Sequence, residues 1–225
     1  MIDLDPSLIL RAEASAALFR SWNLPHPPHV VAHDNGGLVS LRLLLQHNIS
    51  FASLCLIDVV ALSRTEGIPF FQLVAENKAV FDAVPPHLIE GFVHSYIKTA
   101  AFKPLAAADA AALCDPWLEK GKQGPKRFLQ EMVQAQHRDV SDVEGEYGRV
   151  GELVGVEIIW GKDDFWIPVG TAERLAKAVG AQEVVVIEEA GHLVQYDQPS
   201  KLAVEVALWL EKKTRESGLG QAVSR

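Results

Sequence analysis

The sequence predicts an α/β fold: a parallel sheet of about four strands with flanking helices, interrupted by a helical insert. Three observations predict it. Short, almost unbroken apolar runs stand at residues 29–32, 52–60, 156–160 and 183–187, the pattern of strands buried on both faces. Segments with helical spacing alternate with these runs, as parallel strands require. Between the second and third runs, from about Gly67 to Arg149, the pattern is helical with no clear strand. That stretch of roughly eighty residues far exceeds an ordinary connection and is therefore expected to serve the function, as a cap or lid would.

Taken in order, Leu8, Ile9, Leu10, Ala14, Ala17, Leu18 and Phe19 recur at helical spacing from Pro6 to about Ser21, and Pro25, Pro27 and Pro28 then break the chain. A strand over 29–32, an amphipathic helix over 38–47 and a strand over 52–60 follow. The insert is punctuated at Pro85-Pro86, Pro104, Asp115-Pro116 and between Gly121 and Pro125. Regular alternation resumes with a strand over 156–160, a helix over 171–179, a strand over 183–187 and a last amphipathic helix over 200–213. The expected organisation is core (1–66), helical cap (67–149), core (150–215) and a loose tail (216–225).

A chain of 225 residues is long enough for one domain with a real core. Its formal charge of −8 comes without a basic stripe, which argues against nucleic acid and anionic membrane as partners. Cys55 lies in the apolar run Leu-Cys-Leu-Ile and Cys114 in an Ala-rich stretch, so both are expected to be reduced thiols. With neither an apolar leader after Met1 nor eighteen consecutive uncharged apolar residues, the expected location is the cytoplasm.

The chemistry concentrates at three places. His29-Val-Val-Ala-His-Asp-Asn-Gly-Gly37 reads as a strand running into a nucleophile elbow, with small residues Ala32 and Gly36 two before and two after Asp34. Such an elbow lifts Asp34 off the sheet and aims the backbone N–H of Asn35 at developing negative charge. The competing reading of Asp34 is a helix N-cap followed by a packing pair of glycines. The second place is the loop Trp160-Gly-Lys-Asp-Asp-Phe-Trp-Ile-Pro168, which carries Asp163 and Asp164 at the carboxyl end of a strand, where open α/β sheets place their sites. The third is Ala190-Gly-His-Leu193, between the last strand and the last helix. Asp34, Asp164 and His192 thus follow the order nucleophile, acid, histidine.

On these residues the chain, from about residue 7 to 213, resembles the α/β-hydrolase family, and in particular its aspartate-nucleophile branch of epoxide hydrolases and haloalkane dehalogenases. The resemblance implies an α/β-hydrolase fold with a cap and no cofactor or metal. It carries the nucleophile to Asp34, the acid to Asp164, the water-activating base to His192 and an oxyanion donor to the Asn35 N–H. Asp58, which ends the Leu-Cys-Leu-Ile-Asp strand, is a fallback acid. A carboxylate suits displacement at a saturated carbon bearing a halide or an epoxide oxygen, forming an alkyl ester that His192-activated water hydrolyses. Other readings keep Asp34 as a base in a hydrolase or lyase, or make the chain a truncated, non-catalytic remnant.

Relatives carry further strands and a His-Gly loop ahead of the elbow, the loop supplying a second oxyanion donor. This sequence shows neither, so the strand at 29–32 is expected to have an open edge, a route to a homodimer. Dehalogenases place Trp after the nucleophile, where this chain has Asn35, which favours an epoxide over a halide. Epoxide hydrolases donate a proton from cap tyrosines; Tyr96 is the first candidate, with Tyr147, His94 and His137 behind it. Phe92, Phe102, Trp117, Phe128, Met132 and Trp166 are candidates to line an apolar pocket around a small apolar substrate.

Overall fold

A computed structural model describes residues 7–63, 69–118, 124–134 and 137–216, with the side chains of 69, 70, 134, 137 and 138 excepted. The expected loose tail lies outside the described residues beyond Glu216. The chain opens with α1 (Leu8–Ser21), β1 (His29–His33), α2 (Asn35–Leu45) and β2 (Ser53–Ile57). The insert supplies α3 (Pro69–Glu76), α4 (Lys78–Asp82), α5 (Pro86–Lys98), α6 (Ala107–Leu118), α7 (Gly124–Gln134) and α8 (His137–Glu144). A 3₁₀ turn over Tyr147–Arg149 leads into α9 (Val150–Leu153), β3 (Val156–Gly161), α10 (Gly170–Val179), β4 (Glu183–Ile187), α11 (Val194–Asp197) and α12 (Pro199–Glu216).

The four strands pair in parallel in the order β1-β2-β3-β4, with Val31 opposite Cys55, Ile57 opposite Ile159 and Ile159 opposite Val185. Because sequence order equals spatial order, right-handed crossovers put α2 and α10 on the same face, and the chain then folds α12 across the other. The first face holds the main core, in which Leu38, Leu41, Leu54, Leu56, Ile158 and Trp160 are fully buried. The second is smaller and centres on Cys55, Ile159 and Trp209. β2 and β3 are buried at every position, which is why both read as continuous apolar runs. β1 is an edge strand with Val31 48% exposed, so the open edge lies where the sequence suggests.

The structure moves several boundaries by one to three residues, and two of the shifts have a clear local cause. α2 starts at Asn35 rather than 38, since the elbow passes from strand to helix without a linker. β2 ends at Ile57, before Asp58 turns the chain with φ +43°. Within the insert, Val74, Ile89, Val93, Phe128 and Met132 form a core of their own. Val140 and Val143 of α8 instead join the main core beside α2. Tyr147 is buried, and its hydroxyl donates to Ala61 O at 2.6 Å, tying the end of the insert to the loop after β2. Tyr147→Phe leaves that buried carbonyl without its partner and is expected to cost about 1–3 kcal/mol, read as a lower urea midpoint at unchanged slope.

Candidate active site

Each strand delivers one polar side chain at its carboxyl end. Asp34 follows β1, Asp58 follows β2, Asp164 follows β3 and His192 follows β4, so residues far apart in sequence meet along one edge of the sheet. Asp34 has φ +51° and ψ −127°, left-handed backbone that a non-glycine residue adopts only under constraint. Its carbonyl accepts from Gly37 N at 3.0 Å and Val60 N at 3.1 Å, which fixes the turn. A Cβ on Gly37 would stand 2.3 Å from Val59 Cβ, so the close pass between α2 and the loop after β2 requires glycine there. At Gly36 the nearest such contact is Ala32 Cβ at 3.9 Å. Asp34 occupies the N-cap position of α2, but its side chain makes no cap hydrogen bond to the helix and instead lines the cavity.

His192 is 1% exposed, and its Nδ1 donates to Asp164 Oδ2 at 2.9 Å. Asp164 Oδ1 accepts in turn from the N–H groups of Trp166 at 2.7 Å and Ile167 at 2.8 Å, so the acid cannot swing away. On the other side of the ring, Nε2 faces Asp34 Oδ1 at 3.6 Å, a gap slightly too long for a hydrogen bond. Burial alone disfavours an imidazolium, but the Asp164 hydrogen bond and the Asp34 charge outweigh it and push His192 up to about 10. For Asp34, burial likewise opposes ionisation, and His192, His33 and the Asn35 N–H more than offset it, holding the carboxyl below its ordinary value. These influences favour an Asp34 carboxylate facing a His192 imidazolium.

Asp58 is fully buried and does not touch His192 by any hydrogen bond; Oδ1 accepts from Gly161 N at 2.7 Å, and Oδ2 has no partner. Burial, reinforced by Asp164 and Asp34, pushes it up to about 8 despite the Gly161 bond. The folded protein thus holds the Asp58 proton between the ordinary carboxylate value and about pH 8, and stability falls as pH rises through that window. Asp58→Asn cannot ionise. Its advantage over the parent in thermal unfolding is expected to grow by at least about 1 kcal/mol between the acidic and alkaline ends of the window.

A cavity of about 770 Å³ opens over Asp34 and His192. Trp117, Phe128, Met132 and Trp166 line it, as the sequence suggests. Phe92 and Phe102 do not; both are exposed on the outside of the insert, because their helix and loop turn those positions outward. Tyr96 lines the cavity and stacks on Trp166 at 4.1 Å, and Trp166 leans on His192 at 4.9 Å. Tyr147 is withdrawn as a proton donor: it points into the core, and burial raises its phenol above the ordinary value. His94 is exposed and away from the cavity, and the side chain of His137 lies outside the described residues. Asp163 is exposed and contributes only a backbone bond, from its N–H to Ala190 O.

The sequence profile of the alpha/beta hydrolase family matches residues 3–206. The chain belongs to this family. The crystal structure of an alpha/beta hydrolase fold protein from Burkholderia ambifaria superposes with a TM-score of 0.82 at 32% identity, over 92% of this chain and 74% of that one. An esterase from Thermogutta terrifontis shares the fold at 20% identity and TM-score 0.63, covering 95% and 75% of the two chains. The dihydrolipoyllysine-residue acetyltransferase component of the acetoin cleaving system of Pseudomonas putida is 25% identical over 197 residues, 82% of this chain. The chain spans 45% of that relative's length.

Within this family architecture the structure adds residues that the motifs did not single out. His33 donates from Nε2 to His192 O at 2.8 Å, and its pKa is lowered by burial and the neighbouring imidazolium. Asp197 accepts from Gly191 N, Phe102 N and Lys103 N, lashing the His192 loop to the insert. An acid five residues beyond the Gly-His motif was the available signal for it. Among the described residues no group of His, Cys, Asp and Glu is placed to hold a metal, and no helix is long and apolar enough to cross a membrane. Both cysteines are buried, and burial pushes Cys55 up to about 12, so neither offers a thiolate.

Proposed function

We propose that this hydrolase-family chain opens a small epoxide, with halide displacement as its nearest variant, through an ester on Asp34. The observation that carries the reading is a carboxylate at the elbow with imidazolium 3.6 Å away and an apolar cavity above both. Asp34 attacks the less hindered carbon of the three-membered ring, the C–O bond breaks, and the oxygen leaves as an alkoxide that takes a proton from Tyr96. The His192 imidazolium returns a proton to Tyr96 and becomes the neutral base. Esterification also removes the Asp34 charge, one of the two influences holding His192 protonated. Water deprotonated by His192 then attacks the ester carbonyl, the Asn35 N–H stabilises the oxyanion, and collapse expels the diol and restores Asp34. Asp164 keeps His192 oriented throughout.

The two half-reactions have opposite needs in pH. Attack requires ionised Asp34, whose lowered pKa keeps it competent in mild acid. Ester hydrolysis requires neutral His192, which acid denies. Quenched-flow mass spectrometry with styrene oxide is therefore expected to show Asp34 ester accumulating at about pH 5 and vanishing at about pH 9. Equal steady-state ester at both values contradicts the scheme.

A further inference from the structure

The charged groups in the cavity wall are not all neutralised by one another. Asp34 faces His192. Arg11 of α1 forms an ion pair with Glu131 of α7, one Nη2 donating to both carboxylate oxygens, and both residues belong to the wall. Asp139 stands in the first turn of α8, where the helix N-terminus favours an acid. Arg174 is different. It lies in the first turns of α10, and its Nη2 donates to Thr171 Oγ1 at 3.2 Å, with Thr171 also in the wall. Among the described residues no carboxylate pairs with Arg174, and its neighbour Glu173 is exposed and does not line the cavity. Arg174 is itself solvent-accessible, so it marks where the cavity meets water.

We infer that the substrate is amphipathic: its apolar body fills the aromatic part of the cavity, and a carboxylate at its far end is held by Arg174 and the Thr171 hydroxyl. A guanidinium offers a carboxylate two parallel donors, and a position open to water spares the anion full desolvation. The part of the wall lined by Trp117, Phe128, Met132 and Trp166 gives an apolar body its driving force. This inference rests on the cavity's being the substrate site of the proposed function, though not on the covalent chemistry.

Equilibrium binding separates the two. Calorimetric titration compares 4-phenylbutyrate with 4-phenylbutyramide, isosteric probes that do not react. The full chain is expected to bind the carboxylate about five- to ten-fold more tightly than the amide. Arg174→Met is expected to bring that ratio to about one, and Arg174→Lys to keep part of it, since lysine retains the charge without the fork. The inference is overturned if the parent binds the amide as well as the carboxylate, or binds neither. A ratio that survives Arg174→Met also overturns it, because the anion would then be attracted by His192. Absence of an Asp34 ester leaves these affinities unmoved and counts only against the reaction scheme.

Discussion

Incubated with an epoxide such as styrene oxide, His192→Gln is expected to gain the mass of one substrate molecule on the peptide containing His33-Asp34-Asn35, while net turnover falls by about 10²–10⁴-fold. Asp34 and the Asn35 N–H beside its carboxyl are both retained in this variant, so the nucleophile itself is still present. What is lost is the base that removes the ester. Asp34→Ala is expected to show neither adduct nor turnover. The pair of variants separates a nucleophile from a base, because an Asp34 that merely takes a proton leaves no mass on the protein. Turnover by Asp34→Ala, or an unmodified His192→Gln beside an active parent, defeats the proposed chemistry.

The second large effect is expected at a glycine that carries no chemistry. A Cβ on Gly161 would lie 2.3 Å from Gly191 O and 2.7 Å from Ala190 O. These are backbone atoms of the loop that presents His192, with no rotamer to give way. Gly191 is equally confined, its own virtual Cβ 2.8 Å from Ala100 O and Phe102 N of the insert. Gly161→Ala is therefore expected to cost more than about 3 kcal/mol, and to depress kcat beyond what the unfolded fraction explains by shifting His192 away from Asp34. Gly170→Ala is the control: nothing stands within 4 Å of its virtual Cβ, and as the first residue of α10 it should change stability by less than about 1 kcal/mol. Urea unfolding and steady-state kinetics on both variants test the contrast.

Much of the frame was legible because burial on both faces leaves an imprint in the sequence. β4 falls at 183–187 as expected, and β3 is displaced by one residue at its end. The Asp34, Asp164 and His192 positions were legible for another reason: each sits on a short motif whose turn geometry is local. What stayed hidden depends on pairing across the fold. Nothing near His33 in sequence indicates that its ring holds a carbonyl 159 residues away. Neither Arg11 nor Glu131 announces its partner, 120 residues distant. The demand for glycine at 161 arises from a loop that passes it only in three dimensions. Phe92 and Phe102 misled for the converse reason: an apolar residue in a helical insert looks the same whether its face turns toward a cavity or toward water.

Trp166 lies between two rings, stacked on Tyr96 with an interplanar angle of 23° and inclined at 33° to His192. An indole against a protonated imidazole loses its emission to charge-transfer quenching, and it brightens when the imidazole becomes neutral. Under the proposed scheme, in which His192 alternates between imidazolium and imidazole, the Trp166 share of the emission is expected to rise as the ester forms, over the background of the other four tryptophans.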